Sequence, residues 1–137
     1  MWIIYAALSA IFAGLVSVLA KCGMDGISSD LATAVRTCVV LVIAWGIVLF
    51  RHETGSLASL SKKGWLFLIL SGICTGISWL CYFKAIKLGR VSQVAAIDKL
   101  SVVFAMIFAF LILKEHADIK TIAGCVLIVL GTLVMIL

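Results

Sequence analysis

The chain has 137 residues, of which 65% are hydrophobic and only 12% are charged, and its mean hydropathy is +1.32. A water-soluble domain of this size cannot bury so much apolar surface, because small domains keep a large ratio of surface to volume. Nine of the 11 lysines and arginines lie between the apolar runs, and the basic residues form no stripe. That distribution is typical of anchors at a membrane surface and argues against nucleic-acid binding.

Five apolar runs are long enough to cross a bilayer core about 30 Å thick as α-helices. Backbone groups in hydrocarbon need partners within the protein, and the runs lack the two-residue alternation of barrel strands, so helices are required. We therefore predict an all-α membrane protein with a single transmembrane domain over residues 1–137. Its bundle of five helices is expected at residues 2–20, 31–50, 65–83, 94–113 and 121–137.

The connectors between these runs are too short to hold a folded domain, so any function is expected inside the bundle. The sequence contains no hydrolytic triad, phosphate loop or cluster of metal ligands, and its five cysteines form no C-x-x-C pair. We therefore predict a protein that is not an enzyme and that uses no metal and no cofactor.

Charged residues inside the apolar runs are the candidates for function. Asp98 and Lys99 follow Arg90 by eight and nine residues, which places them roughly 12–14 Å along the fourth helix. An ionisable group at that depth costs a few kcal/mol or more, and it often serves transport. The alternatives are a structural ion pair, or a Lys99 side chain that reaches the surface. Because adjacent helical residues point about 100° apart, we expect that the two side chains cannot pair well with each other. Each then needs a partner on another helix, on another subunit or on the substrate.

Arg36 and Trp79 are further candidates for a cavity wall. Arg36 lies five residues into the second run, and Trp79 has Thr75 close to it on the third. A plain packing role is the ordinary alternative for the tryptophan. Basic residues on this side of the membrane would attract carboxylates, and they would equally anchor lipid phosphates. The residues predicted to line a cavity for a substrate or coupling ion are Asp98, Lys99, Arg36, Trp79, Ser101 and Thr75.

Several stretches carry a family resemblance that covers nearly the whole chain. Residues 82–96 (YFKAIKLGRVSQVAA) have the pattern aromatic-x-Ala-(Leu/Ile)-x-x-Gly-x-x-(Ser/Ala). This pattern resembles the connector between the third and fourth helices of the EamA family in the drug/metabolite transporter superfamily. Three more stretches are similar to family motifs. The Ala-Leu-Arg motif of the second helix corresponds to residues 34–36 (AVR), and the Leu-rich run that ends in Gly-Glu corresponds to residues 111–115 (LILKE). The glycine-bearing final helix corresponds to residues 122–131 (IAGCVLIVLG).

Two positions depart from the family pattern. The family usually has a proline near the positions of Ser101 and Val102, and this chain contains no proline. Lys114 stands where glycine commonly precedes the glutamate. The missing proline bears on the shape of the central cavity.

The resemblance implies a secondary transporter of the cell membrane. Full-length members are similar to two five-helix repeats in one chain, and this chain looks like one repeat of such an inverted-repeat transporter. A half-site cannot enclose a substrate alone, so a dimer is implied. The expected function is export of small metabolites, with amino acids or related zwitterions as candidates, by alternating access. The expected partners are a second copy, membrane lipid and a small-molecule substrate.

The distribution of basic residues predicts that the dimer is antiparallel. Orientation follows the excess of Lys and Arg in short loops. Five crossings put the basic residues of the second and fourth connectors on one side and those of the first and third on the other, with almost equal counts. The first group is Arg51, Lys62, Lys63, Lys114 and Lys120; the second is Lys21, Lys84, Lys87 and Arg90, with Arg36 just inside the membrane. We therefore expect insertion in both orientations.

Other hypotheses about function stay open. One is a small multidrug exporter of lipophilic cations. Such exporters have four helices and a glutamate in the first helix, whereas residues 2–20 of this chain contain no acidic residue. A flippase subunit for lipid-linked sugars and a non-transporting membrane scaffold are two more. The dimer has alternatives as well, namely a parallel arrangement or a heterodimer with a related chain.

Overall fold

Five helices long and apolar enough to span a bilayer make up most of the chain. The computed structural model describes residues 1–114 and 118–137. Glu115, which ends the LILKE stretch, lies outside the described residues. The predicted all-α membrane fold with five spans is confirmed. The elements are α1 (Trp2–Gly23), α2 (Ser29–Phe50), a 3₁₀ helix (Glu53–Ser59), α3 (Lys62–Leu88), α4 (Val91–Asp98), α5 (Ser101–Phe108), a π-helical turn (Ala109–Leu113) and α6 (Ile119–Ile136).

The described chain divides into two compact units. One unit comprises Cys22–Lys87 and is called the α2–α3 unit. The other comprises Met1–Lys21, which is most of α1, together with Leu88–Leu137, and is called the α4–α6 unit. Each unit has a small buried core in which hydroxyl groups lie beside apolar side chains. In the α2–α3 unit the buried residues are Met24, Ser29, Thr33, Phe83 and Ile86; in the α4–α6 unit they are Ser17, Ala96, Cys125 and Thr132.

The start of α2 is fixed by a turn and a cap. Gly26 adopts a positive φ of 76°, a conformation that glycine reaches without steric cost. Ser28 is extended, and its Oγ accepts a hydrogen bond of 3.2 Å from the Leu31 amide, which gives one of the helix's first N–H groups a partner. The cap brings Asp30 into the first turn of α2, whereas the sequence-based boundary left it in the connector.

Two lysines in the last turns of α1 and α3 bind backbone carbonyls. Within the α4–α6 unit, Lys21 Nζ donates to the Gly89 carbonyl oxygen at 3.1 Å. Within the α2–α3 unit, Lys87 Nζ donates to the Ile27 carbonyl oxygen. Carbonyls beyond a helix end have no intrahelical donor, and lysine side chains can supply one. These two basic residues therefore hold connectors together in addition to any effect on orientation.

The fourth span, Val91–Leu113, is interrupted where the sequence predicted a continuous helix. The amides of Lys99 and Leu100 donate to the carbonyls three residues earlier, at 3.1 and 2.9 Å. This tighter 3₁₀ pattern separates α4 from α5, and a wider π turn ends the span. The interruption directly precedes Ser101, so the helix breaks near the usual proline position of the family without a proline.

Thr132 of α6 contacts the backbone at this interruption. The Ala96 carbonyl accepts from the Lys99 amide at 3.1 Å, in place of the Leu100 amide that would donate to it in a regular α-helix. The Thr132 hydroxyl lies 3.2 Å from the Ala96 oxygen and 2.8 Å from the Ile128 oxygen of its own helix. Gln93 Nε2 adds a second link, at 3.3 Å, to the Met135 carbonyl. These contacts join α4 to α6.

Most of the surface of the spans is left uncovered by the chain itself. Only 6% of the most apolar window of each of the first four spans is buried, and 11% of that of the fifth. A soluble monomer rarely exposes large contiguous apolar patches. Lipid or another polypeptide must therefore cover these helices.

We predict that Thr132→Val lowers the free energy of unfolding by about 1 kcal/mol, because an interhelical hydrogen bond in a membrane protein is worth roughly that amount. Denaturant titration of the purified protein in detergent measures it. The matched control is Thr121→Val, an exposed threonine of the same helix, which should change stability by less than ~0.5 kcal/mol. Equal effects of the two substitutions would contradict the role assigned to Thr132.

Candidate functional site

A groove of about 740 Å³ runs between α2 and α3 within the α2–α3 unit. Its volume lies in the range of roughly 300–1,000 Å³ that small-molecule sites occupy. The wall is mostly apolar but includes four hydroxyl side chains and one carboxylate. The lining residues are Asp30, Thr33, Ala34, Thr37, Cys38, Leu41, Leu68, Ser71, Gly72, Thr75, Gly76, Trp79 and Leu80.

The threonine hydroxyls of this groove are paired within their own helices. Thr33, Thr37 and Thr75 each donate to the carbonyl four residues earlier, at 2.8, 2.7 and 2.9 Å. Their donors are therefore satisfied at membrane depth, while each oxygen keeps acceptor capacity. The groove can consequently offer hydrogen-bond acceptors to a solute without an unpaired hydroxyl proton.

Two glycines form an open part of the groove wall. Gly72 and Gly76 belong to a G-x-x-x-G pattern, which usually brings two helices into close contact. In the described chain, nothing lies within 4 Å of a Cβ placed on either residue. The close helix approach that the pattern favours is therefore not made here, and the space belongs to the groove.

Arg36 stacks on two aromatic rings next to this groove. Its Cζ atom lies 3.9 Å from the centroid of the Phe83 ring and 5.3 Å from that of the Trp79 ring. Phe83 is only 2% exposed, so one of these cation–π contacts is shielded from its surroundings and correspondingly strong. The Nη1 atom of Arg36 is buried and has no hydrogen-bond partner among the residues that the structure describes.

Trp79 links Arg36 to the groove. Its ring faces the guanidinium, and the residue also lines the groove together with Thr75. The α2–α3 unit thus brings together three of the predicted cavity residues. Sequence reasoning missed Asp30, which it placed outside the second helix, and Phe83. The available signal for Phe83 was its position four residues after Trp79, which puts both on one helix face.

The other three predicted residues lie in the α4–α6 unit, at the interruption of the fourth span. Lys99 Nζ and Asp98 Oδ2 are 3.8 Å apart, and their side chains are 59% and 41% exposed. The two side chains form an ion pair, but a long one, in keeping with the expectation that they cannot pair well with each other. Ser101 is exposed at the first position of α5.

Comparison with known proteins identifies the chain's relatives. A model of the EamA-like transporter family matches residues 1–137. The chain belongs to the EamA-like transporter family. This EamA protein is also 42% identical over 134 residues to a Sinorhizobium sp. protein named "Uncharacterized transporter in cobO 3'region". The match covers 98% of this chain and 95% of the relative. No solved structure matches it.

Family membership confirms the resemblance found in the sequence. Together with the five spans, it makes this EamA protein a multi-pass membrane transporter. Its α2–α3 groove, at about 740 Å³, is the candidate for a solute site. A smaller pocket of about 280 Å³ lies beside the 3₁₀ helix and is lined by Ala44, Trp45, Val48, Glu53, Leu57 and Leu60.

We predict that Phe83→Leu in this EamA protein lowers the free energy of unfolding by about 1–2 kcal/mol, because a shielded cation–π contact with Arg36 is lost while most of the apolar volume is kept. Thermal or denaturant unfolding in detergent measures the change. Phe67→Leu is the control, since Phe67 lies on the same helix but is 68% exposed. A loss no larger than that of the control would show that the ring does not hold Arg36.

Proposed function

We propose that this protein is a secondary transporter that exports small metabolites across the cell membrane by alternating access. Amino acids and related zwitterions are the candidate substrates. The observation that carries the proposal is the groove between α2 and α3, which has the volume of a small-solute site in a chain of a transporter family. Asp30 lines the groove and Arg36 adjoins it through the Trp79 ring, so charges of both signs are available to a zwitterion.

The groove favours this substrate class over the other transport readings. A multidrug exporter of lipophilic cations would need an acid in the first helix, and α1 contains none. A flippase for lipid-linked sugars would need free basic residues for phosphate. Two of the basic residues on that side, Lys21 and Lys87, donate to backbone carbonyls instead. A non-transporting scaffold would have no use for a hydroxyl-lined groove.

The proposed working form is an antiparallel homodimer. Its support is the near balance of basic residues on the two sides, because only a clear excess fixes one orientation. The large uncovered surface of the spans gives a second copy ample area to bind. An inverted second copy also reproduces the inverted-repeat plan common among transporters, with the substrate near the bilayer midplane.

Asp98 is the proposed residue for proton coupling. It is an acid inside the fourth span, beside a helix interruption, and its carboxylate is paired only loosely with Lys99 at 3.8 Å. Acids inside a membrane span are rare and often belong to proton relays. The carboxylate is therefore available to bind and release a proton during a transport cycle.

Counterflow in liposomes tests both the transport and the coupling. Purified protein should exchange a labelled amino acid for an unlabelled one, and an imposed pH gradient should drive net uptake. Asp98→Asn should retain counterflow but lose the response to the pH gradient, because the proton-binding carboxylate is gone. Absence of counterflow for every metabolite that binds would refute the transport function. Normal pH-driven uptake by Asp98→Asn would remove Asp98 from the mechanism.

Cysteine labelling tests the dimer's orientation. After the five native cysteines are replaced, Gly55→Cys introduces a thiol in the second connector, at an exposed position with open space around it. An impermeant maleimide should reach about half of the molecules in intact cells, because nearly equal basic charge permits both orientations. Permeabilised cells give the total. Labelling of all or of none in intact cells would mean a single orientation and a different dimer.

A further inference from the structure

We propose that Arg36, held on the faces of Phe83 and Trp79, is the carboxylate-binding residue of the α2–α3 groove. The inference rests on the proposed function, since it names the chemical class that this site accepts. A site of this kind selects small carboxylates and excludes the corresponding amines.

The geometry of the guanidinium supplies the first argument. An arginine has five N–H donors in one plane, and stacking on an aromatic ring occupies the face of that plane and not its edge. The contact of 3.9 Å with the Phe83 ring therefore fixes the group without using its donors. The donors along the edge of the group are left for a planar acceptor, and a carboxylate matches such a fork with two parallel hydrogen bonds.

The second argument is an unmet donor. Arg36 Nη1 is buried and has no hydrogen-bond partner among the described residues. Leaving a charged donor in that state costs more than the roughly 1–3 kcal/mol of a neutral one. Among the described residues, the ion pair found within 4 Å is Lys99–Asp98, which belongs to the other unit. No described acid of the α2–α3 unit therefore forms an ion pair with Arg36. An anion would give this donor a partner.

The depth of Arg36 raises the free-energy cost of leaving its donor unpaired. The residue is seven positions after Ser29, the first residue of α2, which corresponds to roughly 10 Å along the helix axis. Arginine inside a membrane span is expensive and usually faces the protein interior or a water-filled cavity. Two aromatic faces offset part of that cost, and a bound carboxylate would offset the remainder.

The groove places suitable surroundings next to this donor. Trp79 touches the guanidinium and lines the groove, so a solute in the groove meets the residue that holds Arg36. Asp30 lines the same groove and accepts a hydrogen bond of 3.4 Å from Ser29 Oγ. A carboxylate that also carries an ammonium group would find an acidic partner on that wall.

Binding to the purified protein in detergent tests the proposal, with Trp79 as a fluorescent reporter in a background where the other tryptophans are phenylalanine. The probes are the standard amino acids, each compared with the amine that lacks its carboxylate. At least one amino acid should quench the fluorescence and raise the melting temperature, and its amine should do neither. Equal binding of amine and amino acid, or no binding by any amino acid, would overturn the carboxylate site.

Substitutions of Arg36 assign the effect to this side chain. Arg36→Gln should weaken amino-acid binding about 10- to 100-fold, since a hydrogen bond to a charged group is lost. Arg36→Lys keeps the charge but not the planar fork, and its binding should also weaken. Arg51→Gln is the control, because Arg51 is the exposed C-cap of the same helix and its loss should leave binding unchanged. If Arg36→Gln fails to fold, Arg36→Lys decides; wild-type affinity in the folded variant would overturn the proposal.

Two further arms separate the possible outcomes. If phosphatidylglycerol stabilises the wild type through Arg36 and no amino acid does, the residue anchors a lipid phosphate and the proposal is wrong. If an amino acid binds through Arg36 but counterflow is absent, the carboxylate site stands and the transport function fails. Counterflow of a metabolite that lacks a carboxylate, with no effect of Arg36→Gln, would leave transport intact and overturn the site.

Discussion

Hydrocarbon offers no partner to a polar group, and this constraint decides most of the structure. It requires helices for the five spans, and it requires the hydroxyls on them to find acceptors nearby. Ser17 donates to the Ala13 carbonyl at 3.0 Å, and Thr33 and Thr37 do the same one turn back on α2. Beyond the helix ends, lysines supply the missing donors. Backbone and side chains thus satisfy the same rule in different ways.

The places where the chain departs from regular helical pairing are few and informative. At the interruption of the fourth span, the Ala96 carbonyl accepts from the Lys99 amide in a 3₁₀ turn, and Thr132 of another helix lies within hydrogen-bond distance as well. At Arg36, no described group completes the hydrogen bonds. Local rules are commonly broken at functional sites. Both exceptions lie beside residues that composition and depth had already marked as unusual.

The spans could be predicted from the sequence because hydropathy over about 20 residues is an averaged property that small local deviations do not change. The interruption before Ser101 was not predicted, because no proline marks the change from α-helical to 3₁₀ hydrogen bonds at Lys99 and Leu100. For the candidate site, Arg36, Thr75 and Trp79 were identifiable from residue type and depth. Asp30 and Phe83 were missed because their roles depend on a cap and on pairing between two helices.

The hydroxyls that bond to their own helices have a consequence for assembly. Because they carry their acceptors with them, each helix can enter lipid before it meets any neighbour. Formation of the proposed dimer is then a separate, two-dimensional equilibrium set by surface density, and dilution with added lipid will shift it towards single copies.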